Sequence, residues 1–434
     1  MSEQHTNVGI AGRRILRRGA QGVRRTVARR PRIFLYLSIL GPGVITANAG
    51  NDAGGIATFA SVGAEHGYKL LWLLIPLTIS LGIVQEMCAR MGAITGKGLA
   101  DLIRERFGVR WTALIMFALL VANAGVTVSE FVGIAAAMEL FGIARYFSVP
   151  IAAMAIWWLV VKGSYQRVER VFLVMSLVFL GYVVSAFLAH PNWPTVAREM
   201  VHPSFEFSPL YLFTFVAIIG TTISPYMQVF IQSSVVEKGV RTENYSLTKA
   251  DVWIGTIFAI AIVFFIVIST AATLNATGDH VDSAAQAARA LRPFAGPYAE
   301  LLFGIGLFGA SMMAAGVVPL ATAYSISEAF GVEKGVSNTF REAPTFLGIF
   351  TFLVALGALI GMLPGLPIIR VLLITQVING ILLPVILIAV LRLVNDRELM
   401  GRHVNGPFYN LAAWTTAVIV SASSLLLIVV TIVR

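Results

Sequence analysis

The feature of this sequence that most limits its fold is a series of eleven apolar stretches. A helix that crosses a bilayer needs about 20 mostly apolar residues. The stretches lie near 33–63, 69–94, 111–140, 148–162, 169–190, 209–237, 249–274, 297–328, 344–363, 366–394 and 409–433. Charged residues make up only 12% of the 434-residue chain, whereas a soluble domain has about 25%. The sequence therefore predicts an all-α polytopic membrane protein.

The basic residues indicate how the chain is oriented. Nine of the 32 Lys and Arg residues precede the first span, in a basic tail over residues 1–32. If that tail is cytoplasmic, 25 basic residues fall on the inner side and seven on the outer side, as the positive-inside rule requires. We therefore predict a plasma-membrane protein with a cytoplasmic N-terminus and an external C-terminus. The tail is expected to bind anionic lipid headgroups rather than nucleic acid.

The cysteine and histidine content excludes several kinds of site. A single cysteine, Cys88, rules out a disulfide within the chain and a thiolate metal cluster. The six histidines fall in tails, loops or the ends of predicted helices. The chain has no HExxH or GxSxG motif. It is therefore predicted not to be an enzyme and to need no cofactor.

Two spans carry helix-breaking residues at their centres. The first reads GPGVITANAGNDAGGIATFASVG over 41–63, and the sixth reads FVAIIGTTISPYMQVFIQSS over 215–234. Glycine weakens a helix interior, and Pro225 lacks a backbone donor. Broken helices in corresponding positions of two halves are typical of transporters with a central substrate site. The alternative is a pair of glycine-lined packing faces, but that alternative gives no reason for Asp52 inside the first break.

The residues around the two breaks indicate what such a site could bind. Asp52 lies near the middle of the first span, where an ionised carboxylate costs several kcal/mol unless a partner or ion compensates it. Other oxygen donors nearby are freed backbone carbonyls, the hydroxyls of Thr221, Thr222 and Ser224, and the amide of Gln376. Oxygen-only donors suit hard cations such as Mg²⁺, Ca²⁺ or Mn²⁺. One carboxylate with small neighbours favours partly hydrated Mg²⁺.

A second carboxylate, Glu130, is predicted inside the third span. Thr127 lies three residues earlier on the same helix face. Two interpretations stay open for Glu130: it belongs to a polar pathway, or it makes a structural hydrogen bond to a neighbouring helix.

At these residues the sequence resembles the Nramp family of divalent-metal transporters. The likeness covers nearly the whole chain and includes GAEHGYKLLW (63–72), ARMGAITGKGLADLIRERFG (89–108), SYQRVERV (164–171) and ITQVINGILLPV (374–385). It implies inverted five-helix repeats of the LeuT-like kind with unwound helices 1 and 6. The repeats would cover about 33–190 and 209–394, followed by an extra helix at about 409–433.

The departures from the family pattern suggest a magnesium-transporting branch. Where helix 1 of the family has Asp-Pro-Gly-Asn, this chain keeps Asp52 but has Gly55 in place of the asparagine. Where helix 6 has methionine followed by Pro-His, this chain has Ser224, Pro225 and Tyr226. The acidic pair of helix 3 becomes Thr127 and Glu130, and the glutamine of helix 10 is retained as Gln376.

The resemblance implies a set of metal-binding residues and a polar pathway. The metal residues would be Asp52, Gly55, Thr221, Ser224 and Gln376, and the pathway residues Tyr226, Glu130 and Thr127. The expected function is transport of divalent metal ions, Mg²⁺ first and also Mn²⁺, by alternating access and without proton coupling. The alternatives are a proton-coupled Mn²⁺/Fe²⁺ transporter and an organic-solute symporter of the same fold.

Overall fold

The computed structural model describes residues 41–163, 165–175, 180–206, 208–275, 278, 284–288, 296 and 299–432. The basic tail and its predicted lipid contacts lie outside these residues. Every regular element in the described part is helical. Hydrophobic side chains are exposed in large numbers, including Trp111, Leu114, Phe117 and Val121 on one face of a long helix. Such a surface requires lipid rather than water around it.

The helices of the first half begin at the first predicted span. They are α1 Pro42–Ala49, α2 Ala53–His66, α3 Leu74–Thr95, α4 Leu99–Glu139, α5 Arg145–Val161, α6 Tyr165–Met175, α7 Leu180–Leu188 and α8 Trp193–Val201. The first span is thus interrupted by Gly50, Asn51 and Asp52. The fifth span corresponds to α6 and α7, with residues 176–179 outside the description.

The second half repeats an interrupted helix followed by long spans. Its helices are α9 Pro209–Thr222, α10 Pro225–Glu237, α11 Tyr245–Thr270, α12 Ala284–Ala288, α13 Ala299–Phe330, α14 Pro344–Gly361, α15 Ile368–Val394, α16 Arg397–Met400 and α17 Pro407–Ile432. The sixth span is broken at Ile223 and Ser224, where Pro225 begins α10. Both predicted breaks are therefore present.

The helix that contains the third span begins before the predicted apolar stretch. The sequence indicated a start near residue 111, but α4 begins at Leu99. Asp101 lies in the first turn of α4, where a carboxylate interacts favourably with the helix dipole. The backbone then leaves helical geometry at Gly108, with φ of 78°. A charged helical segment over residues 99–107 thus precedes the apolar span, and hydropathy alone does not detect it.

Close backbone approaches hold the two broken helices in the protein interior. A Cβ on Gly220 of α9 would lie 2.0 Å from the carbonyl oxygen of Gln376 in α15. A Cβ on Gly133 of α4 would lie 2.5 Å from both the Ala53 Cβ and the Ser311 Oγ. Because no larger residue fits at these positions, α9 packs closely against α15, and α4 packs closely against the first residue of α2.

A buried aspartate fixes the start of α1. Asp251 of α11 accepts hydrogen bonds from the backbone N–H groups of Gly43 at 2.7 Å and Val44 at 3.4 Å. The first N–H groups of a helix have no partner within it, so this carboxylate supplies one where water is absent. It holds α1 against α11 at one end, and the break begins at the other end.

Candidate functional site

Two carboxylates cap the same helix at the first break. Asp52 is the N-cap of α2, and its Oδ1 accepts a hydrogen bond from the backbone N–H of Gly55 at 2.6 Å. Glu130 of α4 accepts from the backbone N–H of Ala53 at 3.1 Å through Oε2. Both side chains are completely buried. The positive end of the α2 dipole thus faces two acidic groups.

Side chains at the second break satisfy backbone carbonyls of the first. The hydroxyl of Tyr226 donates to the carbonyl of Ala49 at 2.9 Å, and that of Thr221 donates to the carbonyl of Gly50 at 3.2 Å. Within the second break, Ser224 Oγ donates to the carbonyl of Gly220 at 2.6 Å. These carbonyls would otherwise be buried without a partner, which is costly at membrane depth.

Helix α15 contributes an amide pair to the site. Gln376 Nε2 donates to Asp52, at 3.2 Å from Oδ1 and 3.4 Å from Oδ2. Asn379 Nδ2 donates to Gln376 Oε1 at 3.2 Å and lies 3.5 Å from Ser224 Oγ. Asn379 therefore turns the donor end of Gln376 towards Asp52 and connects α15 with the second break.

Asn379 was not among the site residues predicted from the sequence. It lies one helical turn after Gln376, so both side chains share a face of the predicted tenth span. This spacing could have indicated Asn379 as a site residue, because two amides one turn apart in an apolar span are unusual.

The structure brings together most of the predicted site residues. Asp52, Gly55, Thr221, Ser224, Gln376, Tyr226 and Glu130 belong to one connected set of hydrogen bonds across the two breaks. Thr127 is buried on the same helix as Glu130, but its hydroxyl donates to the carbonyl of Asn123 in its own helix at 2.7 Å. Its place in a polar pathway stays a prediction.

Gly55 lies in a tighter environment than its small size suggested. A Cβ at this position would lie 2.3 Å from the Gly50 carbonyl oxygen and 2.9 Å from Thr221 Oγ1. The two sides of the site are therefore in contact here. Beside them, a cavity of about 10 Å³ is lined by residues including Gly50, Asn51 and Thr222.

One sulfur atom approaches the first break. A Cβ on Gly50 would lie 2.4 Å from the terminal methyl group of Met227, which packs against this residue. The Met227 sulfur lies 3.9 Å from Gln85 Nε2. The methionine is near the break, one turn removed from Ser224, and its sulfur is directed at α3.

A family model described as natural resistance-associated macrophage protein-like, or Nramp, matches residues 43–430. The chain belongs to the Nramp family. The divalent metal cation transporter MntH of Ralstonia nicotianae is 30% identical over 441 aligned positions, which cover 94% of each chain. A solved structure of the manganese transporter of Eremococcus coleocola is similar with a TM-score of 0.72 and 19% identity, covering 90% of this chain and 86% of that one.

The LeuT-like architecture of this Nramp chain extends to more distant transporters. The nucleobase-cation-symport-1 family transporter Mhp1 is similar with a TM-score of 0.53 and 14% identity, covering 89% of this chain and 92% of that one. The fold prediction is confirmed as an all-helical, LeuT-like architecture in which helices 1 and 6 are unwound. Among the described residues, eight helices are long and apolar enough to cross a membrane, and Arg145–Val161 is a shorter apolar helix.

The Tyr226 hydroxyl is expected to stabilise this Nramp fold through the first break. Tyr226→Phe removes the donor to the Ala49 carbonyl, so the free energy of unfolding should fall by about 0.5–1.5 kcal/mol. Tyr182→Phe is a matched control, because Tyr182 is 6% exposed and its hydroxyl has no partner among the described residues. Denaturant titration in detergent micelles measures both. Equal stability of the two variants would contradict the role of this hydrogen bond.

Proposed function

We propose that this protein transports divalent metal ions across the plasma membrane, with Mg²⁺ as the preferred ion and Mn²⁺ as a second substrate. The observation that carries the proposal is the pair of completely buried carboxylates, Asp52 and Glu130, at one helix N-terminus. Neither forms an ion pair with a Lys, Arg or His of the described chain. Two buried carboxylates ionise together only if a cation compensates them.

The donors around Asp52 are those of a hard cation. Near its carboxylate lie the carbonyls of the first break and the Ser224 hydroxyl, which bind through oxygen. Gln376 now presents its nitrogen to Asp52, and its amide would have to turn round to offer oxygen to an ion. Oxygen ligands favour Mg²⁺, Ca²⁺ and Mn²⁺ over metals that prefer sulfur or imidazole. The relatives agree in substrate class, since MntH is named a divalent metal cation transporter and the structural neighbour a manganese transporter.

The broken helices give the ion a route by alternating access. Rearrangement of α1 or α10 would expose Asp52 to one side of the membrane at a time, because each half-helix ends at the site. The interbreak hydrogen bonds made by Tyr226 and Thr221 must open for an ion to reach the carbonyls. Tyr226, Glu130 and Thr127 remain the proposed polar pathway.

The manganese- or iron-selective alternative is favoured by one observation, the position of Met227. A thioether ligand rewards softer metals, and the Met227 methyl group packs against Gly50. Because its sulfur is directed towards Gln85, a rotation of the side chain is needed before it could contact an ion. We therefore place Mg²⁺ first.

Asp52 is expected to be indispensable for metal uptake. Asp52→Asn removes the charge and keeps an effective N-cap, so the variant should fold and remain monodisperse but lose Mg²⁺ and Mn²⁺ uptake in proteoliposomes. Asp251→Asn serves as the control, since it changes another buried capping aspartate away from the breaks. Uptake by folded Asp52→Asn at the wild-type rate would place the site elsewhere.

The preference for Mg²⁺ over Mn²⁺ is expected to depend on having serine, and not a thioether side chain, at position 224. Ser224→Met should shift preference from Mg²⁺ towards Mn²⁺, because the new sulfur discriminates against the harder ion. A combined Gly55→Asn change is less informative, since the Cβ would meet the Gly50 carbonyl. The measurement is Mn²⁺ uptake in the presence of excess Mg²⁺.

Met227→Leu distinguishes a site that prefers Mg²⁺ from a site that is selective for Mn²⁺ or Fe²⁺, in the same assay. If Mg²⁺ is the preferred ion, Mg²⁺ should block Mn²⁺ uptake equally in wild type and Met227→Leu. Loss of Mn²⁺ uptake in Met227→Leu would instead support a thioether ligand. If excess Mg²⁺ fails to block Mn²⁺ uptake by the wild type, Mg²⁺ is not the preferred ion.

Transport is expected to run without protons. Histidine is the side chain that most readily exchanges protons near neutral pH, and Tyr226 stands where the family has histidine. Proteoliposomes that contain a pH-sensitive dye should show metal entry without acidification of the lumen. Acidification that rises in proportion to metal uptake would contradict this expectation and favour the proton-coupled alternative.

A further inference from the structure

The last turns of α10 are fastened to α13 by side-chain hydrogen bonds. Ser233 Oγ donates to Glu328 Oε1 at 2.7 Å, and the hydroxyl of Tyr324 donates to Glu237 Oε2. Glu328 and Tyr324 both belong to α13 and are almost fully buried. The broken sixth span is thus joined to a continuous helix at the end that lies farthest from the break.

Glu328 also caps the start of α4. Its Oε2 accepts a hydrogen bond from the backbone N–H of Ala100 at 3.1 Å. A Cβ on Gly98, the N-cap residue of α4, would lie 1.9 Å from this carboxylate, so only glycine leaves room for it. Lys334 Nζ lies 3.2 Å from Glu328 Oε1 and 2.6 Å from Asp101 Oδ2. One buried carboxylate therefore connects α10, α13, α4 and the segment after α13.

Glu237 connects α10 to that same segment. Its Oε1 accepts a hydrogen bond from the backbone N–H of Val336 at 2.9 Å, while its Oε2 accepts from Tyr324. Earlier on α10, Gln232 Nε2 donates to the carbonyl of Lys97 at 2.9 Å. Side chains of α10 therefore bond to α13, to the segment that follows α13 and to the segment that precedes α4.

These contacts close one side of the site at the breaks. Helix α10 leads from the break at Ser224 to Glu237, which is roughly 20 Å along the helix at 1.5 Å per residue. Every residue from Pro225 to Val235 is buried. We call the side of the membrane on which α10 ends and α4 begins the α10 side. An ion can pass along α10 to that side only after α10 separates from α13 and from the start of α4.

We propose that Ser233, Glu237, Tyr324 and Glu328 form a latch that closes the α10 side of the site and opens during transport. The proposal rests on the proposed function, because it assigns these residues to one step of alternating access. Polar contacts suit that step. When the latch opens, water replaces the hydrogen bonds of the two carboxylates, so their separation costs little free energy. Apolar surfaces would instead lose the free energy of their burial.

Another polar contact of α13 is expected to stay closed. Asn123 Nδ2 of α4 donates to Thr322 Oγ1 of α13 at 2.8 Å, and both side chains are completely buried. Neither helix belongs to a broken span. The proposal therefore requires α10 to separate from α13 while α4 and α13 remain together.

Thiol labelling tests the latch without depending on transport. Ser224→Cys in a Cys88→Ala background places the only thiol of the chain at the second break, where Ser224 is completely buried. A water-soluble methanethiosulfonate reagent is added to each side of the membrane in turn. Ser233→Ala removes the donor to Glu328, so labelling from the α10 side should become about tenfold faster, the factor expected for one lost hydrogen bond to a charged group.

Ser234→Ala is the matched control for this measurement. Ser234 is the next residue of α10, is completely buried, and its hydroxyl has no partner among the described residues. This variant should be labelled at the rate of the Ser224→Cys reporter alone. Equal labelling rates in Ser233→Ala and Ser234→Ala would overturn the latch.

Disulfide locking tests whether the latch must open during transport. Ser233→Cys with Glu328→Cys joins α10 to α13, and Asn123→Cys with Thr322→Cys joins α4 to α13 as the control, both without Cys88. Oxidation, confirmed by the loss of free thiols, should abolish Mn²⁺ uptake by the first pair in proteoliposomes and leave the control pair active. Reduction should restore the first pair. Continued uptake by the oxidised first pair would overturn the proposal.

The two measurements distinguish failure of the latch from failure of the proposed function. A wild type that takes up neither Mg²⁺ nor Mn²⁺ would contradict the proposed function. The labelling comparison would still decide whether Ser233 and Glu328 close the α10 side.

Discussion

The structure depends on how backbone groups are satisfied where two helices stop inside the membrane. At each break, N–H and C=O groups lose their partners within the helix, and lipid offers no replacement. Here the N–H groups of Ala53 and Gly55 bond to Glu130 and Asp52, and the carbonyls of the first break bond to side chains of the second. The first break therefore depends on the second, whose side chains supply the donors for its carbonyls.

The groups that satisfy the breaks also create the chemistry of the site. Asp52 must be an acceptor to cap α2, and an acceptor with a charge attracts a cation. Gln376 approaches this carboxylate because Gly54 and Gly220 leave space for α15: a Cβ on Gly54 would lie 2.0 Å from Gln376 Nε2. At the proposed site, structural support and ion binding would use the same atoms, so an ion would compete with the hydrogen bonds that Asp52 makes with Gly55 and Gln376.

The sequence by itself determined the membrane class and the position of both breaks, because apolar length, glycine and proline act locally. It also identified Asp52, since a lone carboxylate in an apolar span needs a reason. Only the tertiary structure decided that Glu130 caps α2, that Asn379 orients Gln376 and that Gly55 is tightly enclosed. These contacts join residues up to 324 positions apart, as between Asp52 and Gln376. Which helices meet at a given depth is set by packing across the whole bundle, and no local pattern encodes it.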